Sequence, residues 1–281
     1  MKIKRFLSLM FLFIISLLIW IPLWMIVTGS FMGITEITTY LGPVLSDEKG
    51  YASWNLLPVY PTLKPYVELL LDSPGFFTMF WNSSRQVIPG LIGQLFVAIP
   101  AAWSFARFKF KGKNALFILY ITLMIMPFQV TMVPSYLVLD KFNLMNTHLA
   151  LIIPNIFATF PVFIMEKFFK QIPKSLIEAA KIDGAGELRI FFSIGIPLGA
   201  SGIISAVVLG FLEGWNMIEQ PITFLRDKSL WTLSLYLPDI AAEKLGVAMV
   251  ASVITMTPAL LIFLYGQKYL EQGIIASGIK E

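Results

Sequence analysis

The chain has 281 residues, 57% hydrophobic and 14% charged, with a mean hydropathy of +0.77. Soluble domains run at about 45–50% apolar and about 25% charged residues, so this composition excludes a water-covered domain and makes lipid the main solvent. The lack of cysteine excludes disulfides and thiolate metal sites, the lone His148 argues against a zinc cluster or His-based catalysis, and the net charge of +4 matters here through its placement.

Lys2, Lys4 and Arg5 precede the first apolar run, Phe6 to Thr28. That start has the look of a secretory signal, but the run is long and no small-x-small site precedes Phe31. A retained transmembrane helix over residues 1–28 is expected. A helix needs about 20 mostly apolar residues to cross the hydrocarbon core. Five further stretches qualify: Val87 to Phe105, Ala115 to Leu139, Leu149 to Phe169, Ile196 to Trp215 and Leu245 to Tyr265. Glu166, Lys167 and Glu213 blur the ends of the fourth and fifth. Backbone groups in lipid must bond internally, and the runs are too long and too weakly alternating for a barrel. The expected fold class is all-α, an integral membrane bundle of six transmembrane helices.

Residues 29–86 read as an extracytoplasmic loop with a short helix around Leu63 to Leu71, and residues 87–281 as the core of five helices. Residues 216–244 form a second sizeable loop. Asn82-Ser83-Ser84 fits a glycosylation sequon, a triplet too common by chance to carry weight. Pro22, Pro100, Pro127, Pro134, Pro154 and Pro258 fall within the spans. Pro127 and Pro134 bracket Gln129 and Thr131, which points to a kinked or partly unwound third span facing a cavity, or to a bend that serves packing alone.

Basic residues set the orientation. The N-terminus, the loops after spans two and four, and the C-terminus together hold 14 of the 21 basic residues and 6 of the 17 acidic ones. Arg107-Phe108-Lys109-Phe110-Lys111-Gly112-Lys113 is the strongest indicator. Both termini are expected in the cytoplasm.

The loop at 171–197 is the most informative segment. Pro173 suits the first position of a helix and Gly184 the left-handed residue just past its end. The helix between them, about 11 residues and about 16 Å long, is too short and too charged to span lipid. Leu176, Ile177, Ala180 and Ile182 form a loose apolar face, with Lys174, Glu178 and Lys181 polar. A second helical stretch, Glu187 to Ile194, follows before Pro197 opens the fifth span. Spacing leaves two readings near even: a docking knob for a partner protein, or an amphipathic helix lying on headgroups.

Glu178-Ala179-Ala180, then Gly184, then Ile194-Gly195-Ile196-Pro197 resembles the EAA loop of bacterial binding-protein-dependent ABC permeases. Ile196 stands where that family has leucine, and Asp183-Gly184-Ala185 is similar to its Asp-Gly-Ala. Arg107 to Lys113, Gln129-Val130-Thr131 with Pro134, and Trp215-Asn216 look like the carbohydrate branch. Gly273 to Lys280 is a looser match. The likeness covers most of the chain from residue 80 onward and is closest to the smaller, six-span permease of maltose-type sugar importers.

The resemblance implies a cytoplasmic (inner) membrane permease importing a sugar, in the first instance an oligosaccharide, by alternating access. Its implied partners are a companion permease in a heterodimer, two ATPase subunits and an extracytoplasmic solute-binding protein. Glu178, Ala179, Ala180, Asp183 and Gly184 would couple to an ATPase subunit, with Ile194 and Pro197 supporting the turn back into the membrane. ATP and magnesium would be bound on the ATPase subunits, since this chain has no Gly-x-x-x-x-Gly-Lys-[Ser/Thr] loop. No cofactor, metal or catalytic residue is expected in the chain itself.

Gln129, Thr131, Asn155, Thr159, Glu213 and Asn216 lie in or beside spans, as path-lining groups or as ordinary interhelical hydrogen-bond partners. Glu213 is placed near the outer interface beside Trp215, and Trp20, Trp24, Trp54, Trp81, Trp103 and Trp231 are candidate interface anchors. No substrate-contact residue stands out. A stand-alone secondary transporter or channel is the alternative, and would need paired intramembrane charges. A membrane-embedded enzyme would need a catalytic arrangement that one His does not supply.

Overall fold

Proline acts most strongly on the residue before it, pushing that residue out of the helical region. In the computed structural model, which describes residues 2–45, 51–237 and 244–278, this shapes the third span. Helix α5 (Lys113–Ile125) stops at Met126, whose ψ of 124° is extended, and α6 (Phe128–Lys141) restarts after Pro127 at an angle of 103°. The kink expected between Pro127 and Pro134 is therefore a full break at Pro127, while Pro134 rides inside α6. Pro22, Pro89, Pro100, Pro154 and Pro258 also sit inside helices without ending them.

The remaining elements follow in order. Helices α1 (Lys2–Gly29), α2 (Ile34–Leu45), α3 (Lys64–Leu71) and α4 (Pro74–Arg107) precede the broken pair. After it come α7 (Leu149–Ile156), α8 (Phe160–Gln171), α9 (Lys174–Ile182) and α10 (Glu187–Ile190). A π-turn over Phe191–Gly195 leads to α11 (Ile196–Leu198), then α12 (Ala200–Trp215), α13 (Glu219–Phe224), α14 (Leu233–Tyr236) and α15 (Leu245–Gly278). There is no strand among the described residues.

Among the described residues, four helical stretches are long and apolar enough to cross a membrane: Lys4–Gly29, Pro74–Arg107, Leu149–Gln171 and Leu245–Glu271. Two bent pairs, α5 with α6 and Glu187–Leu198 with α12, raise the number to six if each crosses once. The second span starts at Pro74, well before Val87, and the sixth continues past Tyr265. The fifth is bent by 66° at Gly199, so its straight part begins at Ala200.

Contacts group the chain into two units, Met1–Phe80 with Tyr236–Pro258, and Trp81–Leu235 with Ala259–Glu281. The boundary expected at residue 86 falls inside α4. In the first unit, α1 leaves every side chain from Lys4 to Pro22 exposed, as suits a helix solvated by lipid. Trp24 Nε1 donates to the Leu56 carbonyl (2.8 Å), Ser30 and Tyr66 share a hydroxyl bond (2.9 Å), and Glu36 accepts the Val59 amide (2.7 Å). These bonds order much of the segment read as a loop, and α3 matches the short helix expected there.

In the second unit, a core of Ala98, Trp103, Phe105, Met165, Phe169 and Ile190 lies among α4, α8 and α10. A second core joins Leu139, Ala150, Leu151, Phe224 and Leu225. Polar residues of α4 bind the segment before α14: Asn82 Nδ2 donates to the Ser229 carbonyl (2.6 Å), Gln86 Nε2 to that of Leu230 (3.2 Å), and Ser83 Oγ accepts the Leu233 amide (2.8 Å). Asn82 is only 3% exposed, so its amide serves this network and not a glycan.

Candidate coupling site

Helix α9 starts one residue later than expected. Pro173 is its cap (φ −57°, ψ 134°), because the extended ψ keeps it outside the first turn. At nine residues the helix is about 13 Å long. Its C-terminus is closed by Gly184 at φ +79°, the left-handed conformation in which only glycine is free of strain. The Ala185 amide bonds the Ala180 carbonyl (2.9 Å) and the Gly184 amide bonds that of Lys181 (3.0 Å). That pair of bonds is the Schellman closure, which satisfies two of the last orphan carbonyls.

The helix has two faces. Ile177, Ala180 and Ala185 pack against the Trp103–Phe169 core. Glu178, Ala179, Asp183 and Gly184 are exposed, and Ile182, opposite the packed face, is 86% exposed. Ile194 is half-buried against the same core, while Pro197 is exposed in α11, two residues before the bend. Lys181 and Glu187 form a 2.5 Å ion pair that ties α9 to α10 across the turn. Both are about half exposed, so the pair contributes at most about 1 kcal/mol.

The root of the loop is held by a residue that sequence reading treated only as loop charge. Arg107, at the end of α4, donates to the carbonyls of Phe169 and Ile172, the latter at 2.5 Å. Those carbonyls end α8, where unpaired acceptors and the helix dipole favour a cation. The guanidinium also lies 5.7 Å from the Trp103 ring centroid, and Trp103 meets Phe169 edge-on at 5.4 Å. At the far end, a Cβ on Gly199 would come within 2.2 Å of the Phe169 ring, so the bend depends on glycine there.

The polar residues of the spans divide into two groups. Thr131 bonds the carbonyl of Phe128 in its own helix (3.1 Å), and Asn216 that of Leu212 (2.9 Å). Gln129 Nε2 reaches Glu219 (2.7 Å). Asn155 is gripped by Gln94, whose Nε2 donates to its carbonyl (3.1 Å) and to its Oδ1 (3.2 Å). The grip falls where the fourth span breaks between α7 and α8. Gln94 is 2% exposed and its Oε1 has no partner. Thr159 caps α8 with backbone only, and Glu213 is exposed.

Glu166, blurred in sequence, is fully buried and paired with Lys170 one turn along α8. Trp103 and Trp215 are buried, Trp215 stacking on Phe211, so neither is an interface anchor, whereas Trp20, Trp24 and Trp81 are exposed. The tail from Gly273 to Lys280 lies outside the residues whose side chains are described.

Residues 94–276 match the family described as "Binding-protein-dependent transport system inner membrane component". The chain is 32% identical over 262 residues to a probable ABC transporter permease protein of Pyrococcus horikoshii, covering 89% of this chain and 95% of that relative. It is 29% identical over 222 residues to the arabinooligosaccharides transport system permease protein AraQ of Halalkalibacterium halodurans, covering 78% and 80%. A bacterial ABC transporter involved in the import of the acidic polysaccharide alginate shares the fold, with a TM-score of 0.80 at 21% identity over 95% of this chain and 96% of that one.

Proposed function

The chain belongs to the family of inner membrane components of binding-protein-dependent transport systems, and we propose that within it this chain is the permease that carries a sugar, foremost an oligosaccharide, through an ATP-driven importer. The relative that handles arabinooligosaccharides supports the substrate class. The single observation that carries the mechanism is α9: a short helix, rigidly capped at Gly184, seated on the core by Ile177 and Ala180 and presenting Glu178, Ala179, Ile182 and Asp183 outward.

On this reading α9 enters a cleft of a separate ATPase subunit, which binds ATP and magnesium. Glu178, Ala179 and Asp183 face that subunit. Ala180 seats the helix, Gly184 fixes its end, and Ile194 and Pro197 lead the chain back toward α12. Closure of two ATPase subunits would push α9 and rock the spans of this chain against a companion permease. The binding protein delivers sugar on the opposite face. Both termini lie in the cytoplasm, on the side that holds 14 of the 21 basic residues.

The test is purification of the tagged chain from its own membrane, followed by ATP-driven sugar uptake in proteoliposomes. An ATPase subunit is expected to co-purify, and Ile182→Glu to release it while the permease remains in the membrane. Uptake by the chain alone, or an ATPase subunit retained equally by Ile182→Glu, would overturn the reading.

A further inference from the structure

The loop between α4 and α5 is a concentrated basic surface with an unusual setting. Lys109, Lys111 and Lys113 alternate within five residues, and no acidic residue occurs between Asp72 and Asp140. Among the described residues, none of the three lysines is paired with a carboxylate. The loop folds back on itself: Gly112 takes φ +80°, and the Lys113 ammonium donates to the Phe108 carbonyl at 3.0 Å. This leaves an open surface cavity, a shallow depression of about 300 Å³, lined by Lys109, Phe110, Gly112, Lys113, Asn114 and Ala115.

What lies below the cavity indicates its occupant. Helix α5 has no buried residue, and Leu116, Ile118, Leu119 and Leu123 are exposed along it. At 13 residues it is about 20 Å long, comparable to the roughly 15 Å of one leaflet's hydrocarbon, before the chain turns by 103° at Pro127. Cationic groups thus stand at the head of an apolar strip about one acyl chain deep. Phe108 and Phe110, both partly exposed, flank the lysines at headgroup level.

We propose that this loop and the outer face of α5 form a binding site for an anionic phospholipid, its phosphate among Lys109, Lys113 and Asn114 and its acyl chains along Leu116, Leu119 and Leu123. A free phosphate would be drawn to the lysines but would gain nothing from the apolar strip, so the lipid is the better fit. The site requires only that α4 and α5 enter the membrane. It does not depend on which sugar is carried or on how α9 docks.

The experiment reconstitutes the full chain, with whatever subunits co-purify, in phosphatidylcholine bilayers. It measures association of spin-labelled phosphatidylglycerol against spin-labelled phosphatidylcholine at low ionic strength. The expected preference for the anionic lipid approaches about 30-fold at the site, from two lysines at about 1 kcal/mol each, and shrinks as salt is added. Lys109→Gln with Lys113→Gln should abolish it, Lys109→Arg with Lys113→Arg should keep it, and Lys141→Gln should leave it unchanged. No preference in the wild type, or one that survives the double glutamine variant, overturns the proposal. So does displacement by inorganic phosphate as effective as by lipid, or loss of the preference once partner subunits are bound, which would mean that protein covers α5. Because lipid association is read without transport, failure here leaves the transport reading standing, and failure of transport leaves this one standing.

Discussion

Replacing Gly184 by valine tests the coupling geometry at a position where only the backbone is at stake. The residue sits at φ +79°, and a Cβ added there would meet nothing within 4 Å. Steric crowding inside this chain therefore contributes nothing, and the cost is conformational: about 1–2 kcal/mol for an L-residue held in the left-handed region, and more for a β-branched one. The chain can escape that cost by leaving the left-handed state, which forfeits the bonds from Ala185 to Ala180 and from Gly184 to Lys181, each worth about 1 kcal/mol.

Either way the closed end of α9 loses about 1–2 kcal/mol, a factor of roughly 5–30 in the equilibrium constant between the closed and the frayed turn. ATP-driven uptake is expected to fall by up to that factor in Gly184→Val at normal membrane abundance, less in Gly184→Ala, and little in Gly184→Asn, since asparagine tolerates the left-handed region. Uptake is measured in vesicles normalised to permease content by immunoblot. Wild-type uptake in the valine variant, or equal losses in valine and asparagine, would show that the closure of α9 is not what transmits the push.

Further outcomes follow from the second unit. Arg107→Lys keeps the charge but loses the planar guanidinium that lies over Trp103 and sets Nη2 between the Phe169 and Ile172 carbonyls, so thermal unfolding in detergent should show a loss of about 1–3 kcal/mol, with Arg107→Ala worse. Gln94→Leu removes two bonds to Asn155 and also the unpaired Oε1; the two effects oppose, so stability should change by less than about 1 kcal/mol while chymotrypsin cleavage at Phe157 becomes faster. His148 has its pKa lowered by burial and then by Arg85, so it is neutral at pH 7 and its Nδ1 can accept from Gln86 (3.0 Å). The folded state then binds fewer protons than the unfolded one: this contribution is complete above the ordinary His pKa of about 6.5 and is lost as pH falls through the lower folded value. Melting curves from pH 7.5 to pH 5 should show a smaller drop in His148→Gln than in the wild type.

What was legible in the sequence was local. Gly184 could be placed because a helix end makes a conformational demand that one residue type meets, and Pro127 because proline constrains its neighbour whatever surrounds it. The apolar runs announced lipid, and each overlaps one of the four long helices or one of the two bent pairs, though the second began earlier than its hydropathy suggested. Asn82, Ser83, Arg85 and Gln86 interrupt the apolar pattern of α4, and three of them do so because they face a segment about 145 residues further on. Arg107 and Gln94 were missed for the same reason. Their partners lie 61 to 65 residues away, and no periodicity marks such pairs. Trp103 and Trp215 misled because an indole fits a bilayer surface and a packed core equally well.

The two ends of the segment from α9 to α11 are attached to the membrane helices in unlike ways. On one side the guanidinium of Arg107 rivets the foot of α8 to α4, so that end can pass on thrust without slack. On the other the chain swings through 66° at Gly199, where the bare backbone rests on the flat ring of Phe169 as a knuckle rests in its cup. The two ends are thus held by different means, one by polar bonds to carbonyls and the other by close packing of a glycine against an aromatic ring.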